Sequence, residues 1–198
     1  MRFERVRDRG NAKHFRGLSS QIYIYSYRIE NYEGNRYMTD NYYFKSPIGN
    51  LIICEENHKI TRIYLQAKEE DITPGGANHL HSDLLYEAYK QLQEYFSGKR
   101  KTFDLPINPQ GTPFQQKVWS ALQDIPFGET RIYEDIAIAI GNKKALRAVG
   151  QANNRNPILI VVPCHRVINK NGQLGGFGCG IETKKILLDL ENSCSRPC

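Results

Sequence analysis

A cysteine and a histidine stand side by side in "VVPCHRVINKNG", residues 161–172, at the end of an aliphatic run and just before a glycine turn. A free thiol has a pKa of about 8.5, so at neutral pH only a few per cent of it is the nucleophilic thiolate, and a base or a positive neighbour must raise that share. His165 is the ring nearest to Cys164 in sequence. Side chains adjacent on an extended strand point to opposite faces, so the two cooperate only if the chain turns at Pro163–Cys164 or a water bridges them. Pro163 favours such a turn. An imidazole acting as a base also needs a group that fixes its tautomer, usually a carboxylate, and Asp189 and Glu191 are the candidates. Cysteine is equally a common buried packing residue. On spacing alone both readings of Cys164 stand.

A second chemistry-bearing stretch is "KKALRAVGQANN", residues 143–154. Ala145, Ala148, Gly150 and Ala152 are small and Arg147 is a long cation among them, so the surface could approach another backbone closely while the arginine reaches into a groove. Tight packing against a neighbouring helix with Arg147 solvated is the competing reading. His79 and His81, near Asp83, suggest a metal, yet no cysteine or second histidine group lies at ligand spacing. Loop histidines are expected there. Cysteines 54, 164, 179, 194 and 198 are odd in number and widely spaced, which fits neither a disulfide framework nor paired zinc knuckles. Reduced thiols and no metal site are expected.

The elements that must position these residues follow from periodicity. "YYFKSPIGNLIICEE" and "KITRIYLQ" are rich in β-branched and aromatic residues around turn signals at Gly49–Asn50 and Asn57–His58, predicting an antiparallel hairpin or meander. Leu84, Leu85, Ala88, Tyr89, Leu92, Tyr95 and Phe96 then fall at helical spacing, with Ser82 as N-cap and Gly98 at the end. "KTFDLPINPQ" is the linker candidate, with the boundary near Pro106. Beyond it Thr112, Pro113 and Gln115 open a helix as a capping box, with Phe114, Val118 and Leu122 on one face and Trp119 beside it. Thr130 can cap "RIYEDIAIAI", Gly141–Asn142 ends it, and the small-residue helix runs to Asn156–Pro157. Two short helices around a glycine turn form a helix-turn-helix candidate, a pattern any packed pair can give. "PILIVVP" predicts a strand buried on both sides, and Ile181, Ile186, Leu187 and Leu190 predict a last helix with Glu191 near its end.

The chain of 198 residues, 40% hydrophobic, can bury a core, and its formal charge of +6 with a pI near 9.0 suits a polyanionic partner, nucleic acid ahead of anionic membrane. No run approaches the ~20 apolar residues of a membrane span, and "MRFERVRDRGNAKHFRG" lacks the apolar core of a secretory signal. A soluble, cytoplasmic protein is expected. Residues 1–37 lack a clear period and read as a poorly ordered basic arm, with a downstream start at Met38 conceivable; residues 193–198 read as a disordered tail.

"PCHRV" after "NPILIVV", with "RAVGQANNRNP" before and "GGFGCGIETKKILLDLE" after, closely resembles the O6-alkylguanine-DNA alkyltransferases, the family of methylated-DNA--protein-cysteine methyltransferases. The resemblance runs from about Tyr42 to Glu191 and is dense from Gly111 onward. It implies an α/β (α+β) protein with a small ribonuclease H-like N-terminal unit, residues 38–106, followed by an α/β alkyltransferase domain, residues 107–192, carrying a helix-turn-helix that docks in the DNA minor groove. It implies that Cys164 accepts the alkyl group, that His165 deprotonates it through a water, that Glu191 orients His165, and that Asn156 braces the turn. Arg147 then enters the base stack and Tyr133 moves the phosphate and contacts the flipped base, with Thr130, Ala145, Ala148 and Gly150 at the DNA. Val167, Phe177 and Gly178 join Cys164 at the alkylguanine pocket. The partner is double-stranded DNA holding O6-alkylguanine, and O4-alkylthymine as a second lesion; the protein acts as a monomer without a cofactor.

Two departures from the family's pattern bear on substrate size: Phe177 stands where a tyrosine is often found, and Gly178–Cys179 where serine or glycine occurs. Cys54 and the His79–His81 pair do not reproduce the zinc site of some members. Three rival readings remain: a cysteine hydrolase on Cys164, His165 and Glu191, without an oxyanion-hole motif in the sequence; a sensor of alkylated bases, against which Cys164 argues; and a transcriptional regulator, for which no sensor domain is present.

Overall fold

The computed structural model describes residues 23–26, 39–66 and 82–195. Expectations for His79, His81, Met38, Cys198 and most of the basic arm lie outside the described residues. Strands β1 (Tyr23–Ser26), β2 (Thr39–Ser46), β3 (Gly49–Glu56) and β4 (Lys59–Leu65) form one antiparallel meander in that order. β1 pairs Tyr23 with Tyr43 through Ser26 with Asp40, so residues 23–26 are a strand and not part of an irregular arm. The first hairpin turns at 47–48, and Gly49 and Asn50 already pair within β3. At the second turn Asn57 and His58 both have positive φ, 52° and 57°, the twist a two-residue hairpin needs.

Helix α1 (Asp83–Phe96) lies against β2 and β3 and buries Leu85, Ala88, Leu92 and Tyr95, the face its periodicity predicts. Ser82 caps it, accepting from the amides of Leu84 and Leu85. Helix α2 (Pro113–Gln123) opens with both halves of the Thr112–Gln115 capping box and buries Val118, Trp119 and Leu122. Thr130, in contrast, caps nothing: Arg131–Ile132 forms a short strand, β5, parallel to β6 (Val167–Ile168). Helix α3 (Tyr133–Ala139) starts after Ile132, whose amide is satisfied by Asp135 at 2.9 Å. Helix α4 (Leu146–Asn154) follows, packs on α2 and α3, and completes the helix-turn-helix.

"PILIVVP" is buried but is not a strand. Ile158 makes one parallel bridge to Ile63, Leu159 pairs back to Val162, and Ile160 takes a positive φ of 73°, so the run is a tight loop pinned to the edge of β4. Local propensity suggested a strand; tertiary hydrogen bonds from Ile63 N to Pro157 O and from Leu159 N to Ile63 O hold a turn instead. The last helix, α5 (Ile181–Ser195), continues three residues into the supposed tail. Its buried face is Lys184, Leu187, Leu188 and Glu191, while Ile181 and Ile186 are exposed. The buried face lies about one position round from the apolar stripe that the periodicity predicts, because Lys184 and Glu191 find buried partners.

One hydrophobic cluster runs from Tyr42, Phe44 and Leu51 through Tyr95 and Trp119 to Val149, Cys164 and Leu187. The linker is stitched to β4 as well, Ile60 N donating to Pro106 O at 2.8 Å and Asn108 N to Ile60 O at 2.9 Å. The sheet unit and the helical unit therefore share a core.

Candidate active site

Pro163 leaves the loop with φ −82° and ψ 62°, and residues Cys164–Arg166 coil into a single 3-10 turn. This turn carries Cys164 and His165 away from strand alternation. Cys164 is 3% exposed and His165 is 0% exposed, so both sit inside the core rather than on its surface.

Asn156, just past the end of α4, organises the loop. Its Nδ2 donates to Val162 O at 2.7 Å and to the Cys164 sulfur at 3.0 Å, while its Oδ1 accepts from the Ile158 amide at 3.0 Å. Asn153, inside α4, donates to the Cys164 carbonyl at 3.2 Å. Burial pushes the Cys164 thiol up to about 11, partly offset by the Asn156 hydrogen bond. Such a thiol is protonated at neutral pH and reacts only with a base at hand.

His165 Nε2 lies 2.7 Å from Glu191 Oε1, and both side chains are buried. Burial alone would raise the Glu191 carboxyl; hydrogen bonds and charge from His165 and Arg166 outweigh it and hold the group at about 2. An ionised carboxylate only accepts, so Nε2 carries the proton and Nδ1 is the free lone pair. Nδ1 has no hydrogen-bond partner among the described residues. Burial lowers the imidazole's pKa although Glu191 pulls it up, which keeps the ring neutral, the form a base needs. Asp189, the other carboxylate candidate, is exposed.

Glu191 gathers more than His165. Arg166 donates from Nε at 3.0 Å and Nη2 at 3.0 Å, Tyr95 from its hydroxyl at 2.8 Å, and Gly128 from its amide at 2.9 Å. Arg166 also reaches Ile125 O at 2.6 Å. Sequence reasoning missed Tyr95, Arg166, Asn153 and Lys184. Arg166 sits within the "PCHRV" stretch, and Lys184 interrupts an apolar helix face, which were the available signals; Tyr95 gave none, since it fitted a core stripe. Lys184 is 0% exposed, donates to Val167 O at 2.5 Å and to Leu174 O, and has its pKa lowered by burial to about 8.

Of the residues expected at DNA, Tyr133, Arg147 and Gly150 line one open cleft of about 570 Å³ with Asn154, Asn169 and Lys170. Tyr133 is half-buried, and the Gly150 hydrogen that a side chain would replace faces its ring. Arg147 and Ala148 are exposed on α4, Ala145 half-buried at its start and Thr130 exposed beside β5. The last three lie outside that cleft. At the expected pocket, Phe177 is half-buried with Lys184 Nζ 5.9 Å from its ring centroid. Gly178 packs so closely that an added Cβ would stand 2.7 Å from Asn154 O. The Val167 side chain is fully buried, so the core takes it and the β6 backbone faces Lys184. Among the described residues no group of histidines, cysteines and carboxylates could hold a metal ion.

Residues 40–109 match the ribonuclease-like domain of 6-O-methylguanine DNA methyltransferase, and residues 113–193 match its DNA binding domain. The chain is 53% identical over 158 residues to the constitutive methylated-DNA--protein-cysteine methyltransferase of Bacillus subtilis, covering 76% of this chain and 95% of that protein. The chain belongs to the 6-O-methylguanine DNA methyltransferase family. A methylated-DNA--protein-cysteine methyltransferase of Methanosarcina acetivorans is 46% identical over 151 residues, 76% of this chain and 97% of that one. Among solved structures, Mycobacterium tuberculosis OGT in complex with DNA aligns with a TM-score of 0.68 at 42% identity, covering 77% of this chain and 92% of that one. The two-domain architecture of the family, ribonuclease-like unit then DNA-binding unit, is the fold observed here.

Proposed function

We propose that this protein repairs DNA by moving a methyl or other alkyl group from O6 of guanine to its own Cys164, once per molecule. The observation that supports the reading is the turn itself: a shielded thiol held by Asn156 and, at the next residue, an imidazole whose Nε2 is held by Glu191 and whose Nδ1 has no partner among the described residues. The names of the relatives and the DNA-bound neighbour support the substrate. The division at about residue 106 into a sheet unit, 38–106, and an alkyltransferase unit, 107–192, belongs to the same reading.

In this mechanism the Cys164 thiol gives its proton through one water to His165 Nδ1. The sulfur lone pair then attacks the alkyl carbon, the carbon–O6 bond breaks, and its electron pair leaves on the guanine, which takes a proton from the Tyr133 hydroxyl or from water. The thioether product is inert, so no turnover follows and no cofactor is consumed. The alkyl carbon is unreachable inside a stacked duplex; flipping the nucleotide costs a few kcal/mol, which Arg147 offsets by filling the stack. Small side chains beside Arg147 suit a minor groove only about 6 Å wide. O4-alkylthymine presents the same O-alkyl bond on a smaller ring and is a second substrate. Action as a monomer on DNA in the cytoplasm belongs to the same reading.

The test is intact mass after incubation with a duplex containing O6-methylguanine. Transfer gives one gain of about 14 Da, mapped to Cys164 and absent in Cys164→Ser. An unchanged mass with tight binding would make the protein a damage sensor, and repeated ester cleavage would make it a hydrolase.

A further inference from the structure

Tyr95 lies on α1, in the sheet-bearing unit, yet its hydroxyl enters the relay of the other unit. It donates to Glu191 Oε1 at 2.8 Å and stands 3.5 Å from His165 Nε2. The side chain is 0% exposed, and its ring is fixed by Phe96, Phe103 and Phe127 with centroids 5.5, 5.6 and 5.9 Å away. A phenylalanine would fill this space equally well. The hydroxyl is a buried polar group whose desolvation is offset only by a partner, and the partner is the one oxygen that also holds His165. We infer that Tyr95 is a positioning residue for alkyl transfer, through which the N-terminal unit fixes the Glu191 carboxylate against His165.

The inference rests on the alkyl-transfer reading and adds a role for the N-terminal unit within it. Oε1 accepts from Tyr95, His165 and Arg166 together, which disperses its charge and locks its rotamer. Loss of the Tyr95 donor leaves more charge to hold a protonated imidazole, so the pKa of His165 rises and its basic form is reached at higher pH. The other groups facing the pair are Arg166 from the 3-10 turn, the Gly128 amide from its loop, and Lys184 and Cys194 from α5. Lys184 and Arg166 both favour the neutral ring and stay in place when only the Tyr95 hydroxyl is removed.

The experiment measures the second-order rate of methyl transfer from duplex DNA against pH, per titratable active molecule, for the native protein, for Tyr95→Phe and for a ring-fluorinated tyrosine at 95. Tyr95→Phe moves the ascending limb up by about half a pH unit, a loss of about threefold at pH values below it. The fluorinated ring is a stronger donor and moves the limb down, and it keeps the inference testable if Tyr95→Phe does not fold. Limbs that coincide in all three proteins, or a Tyr95→Phe change confined to thermal stability, would overturn the inference and leave the transfer reading intact. Absence of any mass gain in the native protein would instead overturn the transfer reading on which it rests.

Discussion

At Cys164 the same burial that shields the thiol also weakens it, pushing its pKa up to about 11. Asn156 is the local remedy, since its amide donates to the sulfur and so favours the thiolate while also holding Val162 O and Ile158 N. Asn156→Ala removes these bonds and a longer one to Ile158 O at once. The expected outcome is a loss of about 2 kcal/mol in denaturant unfolding together with a drop of about tenfold or more in the rate of methyl transfer to Cys164. A variant that loses stability while the rate per active molecule holds would limit Asn156 to bracing the loop.

At the scale of elements, α4 does two jobs on opposite faces. Its buried face carries Val149, Ala152 and Asn153 into the core, where Ala152 O accepts from Trp119 at 2.8 Å and Asn153 reaches the Cys164 carbonyl. Its outer face carries Arg147 at the cleft. Arg147→Ala is therefore expected to leave reaction with a free alkylated base unchanged and to slow reaction on duplex DNA by about tenfold or more; equal losses on both substrates would count against a wedge. The loop before α5 meets the end of the same helix. Gly178→Ala would drive a Cβ to 2.7 Å from Asn154 O, a backbone atom that cannot swing aside. That variant should lose about 1–3 kcal/mol in thermal or chemical unfolding and react more slowly, as the loop withdraws from α4.

For the molecule as a whole, the buried relay is also a structural joint, because Glu191 ties α1, α5, the 3-10 turn and the Gly128 loop together. Its folded carboxyl titrates at about 2, below its ordinary 4.5, so it contributes stability above pH 4.5 that is lost as pH falls towards 2. His165 acts in the same direction earlier: its folded pKa is depressed below 6.5, so the unfolded chain binds more protons as pH drops under that value. Melting temperature should thus fall from about pH 6.5 downward and fall faster below about pH 4.5. A flat profile across that range would mean that the joint does not carry folding stability.

Much of this was legible in one dimension. Local rules act over a few residues, so the Thr112–Gln115 capping box, the Ser82 cap, the meander, the turn at Asn57–His58 and the buried stripe of α1 could be read directly from neighbours in the chain. The ordered motifs around Cys164 identified the family, and the resemblance nominated His165, Asn156, Arg147 and Tyr133 as site residues. Tertiary structure alone decided the rest, because it depended on which partners a buried polar group would find. It turned "PILIVVP" from a strand into a loop clamped by β4 and rotated α5 so that Lys184 and Glu191 faced inward. It also brought Tyr95 across 96 positions of sequence to one carboxylate oxygen. Side-chain periodicity can mark a tyrosine as buried; only the folded chain determines where its hydroxyl must point.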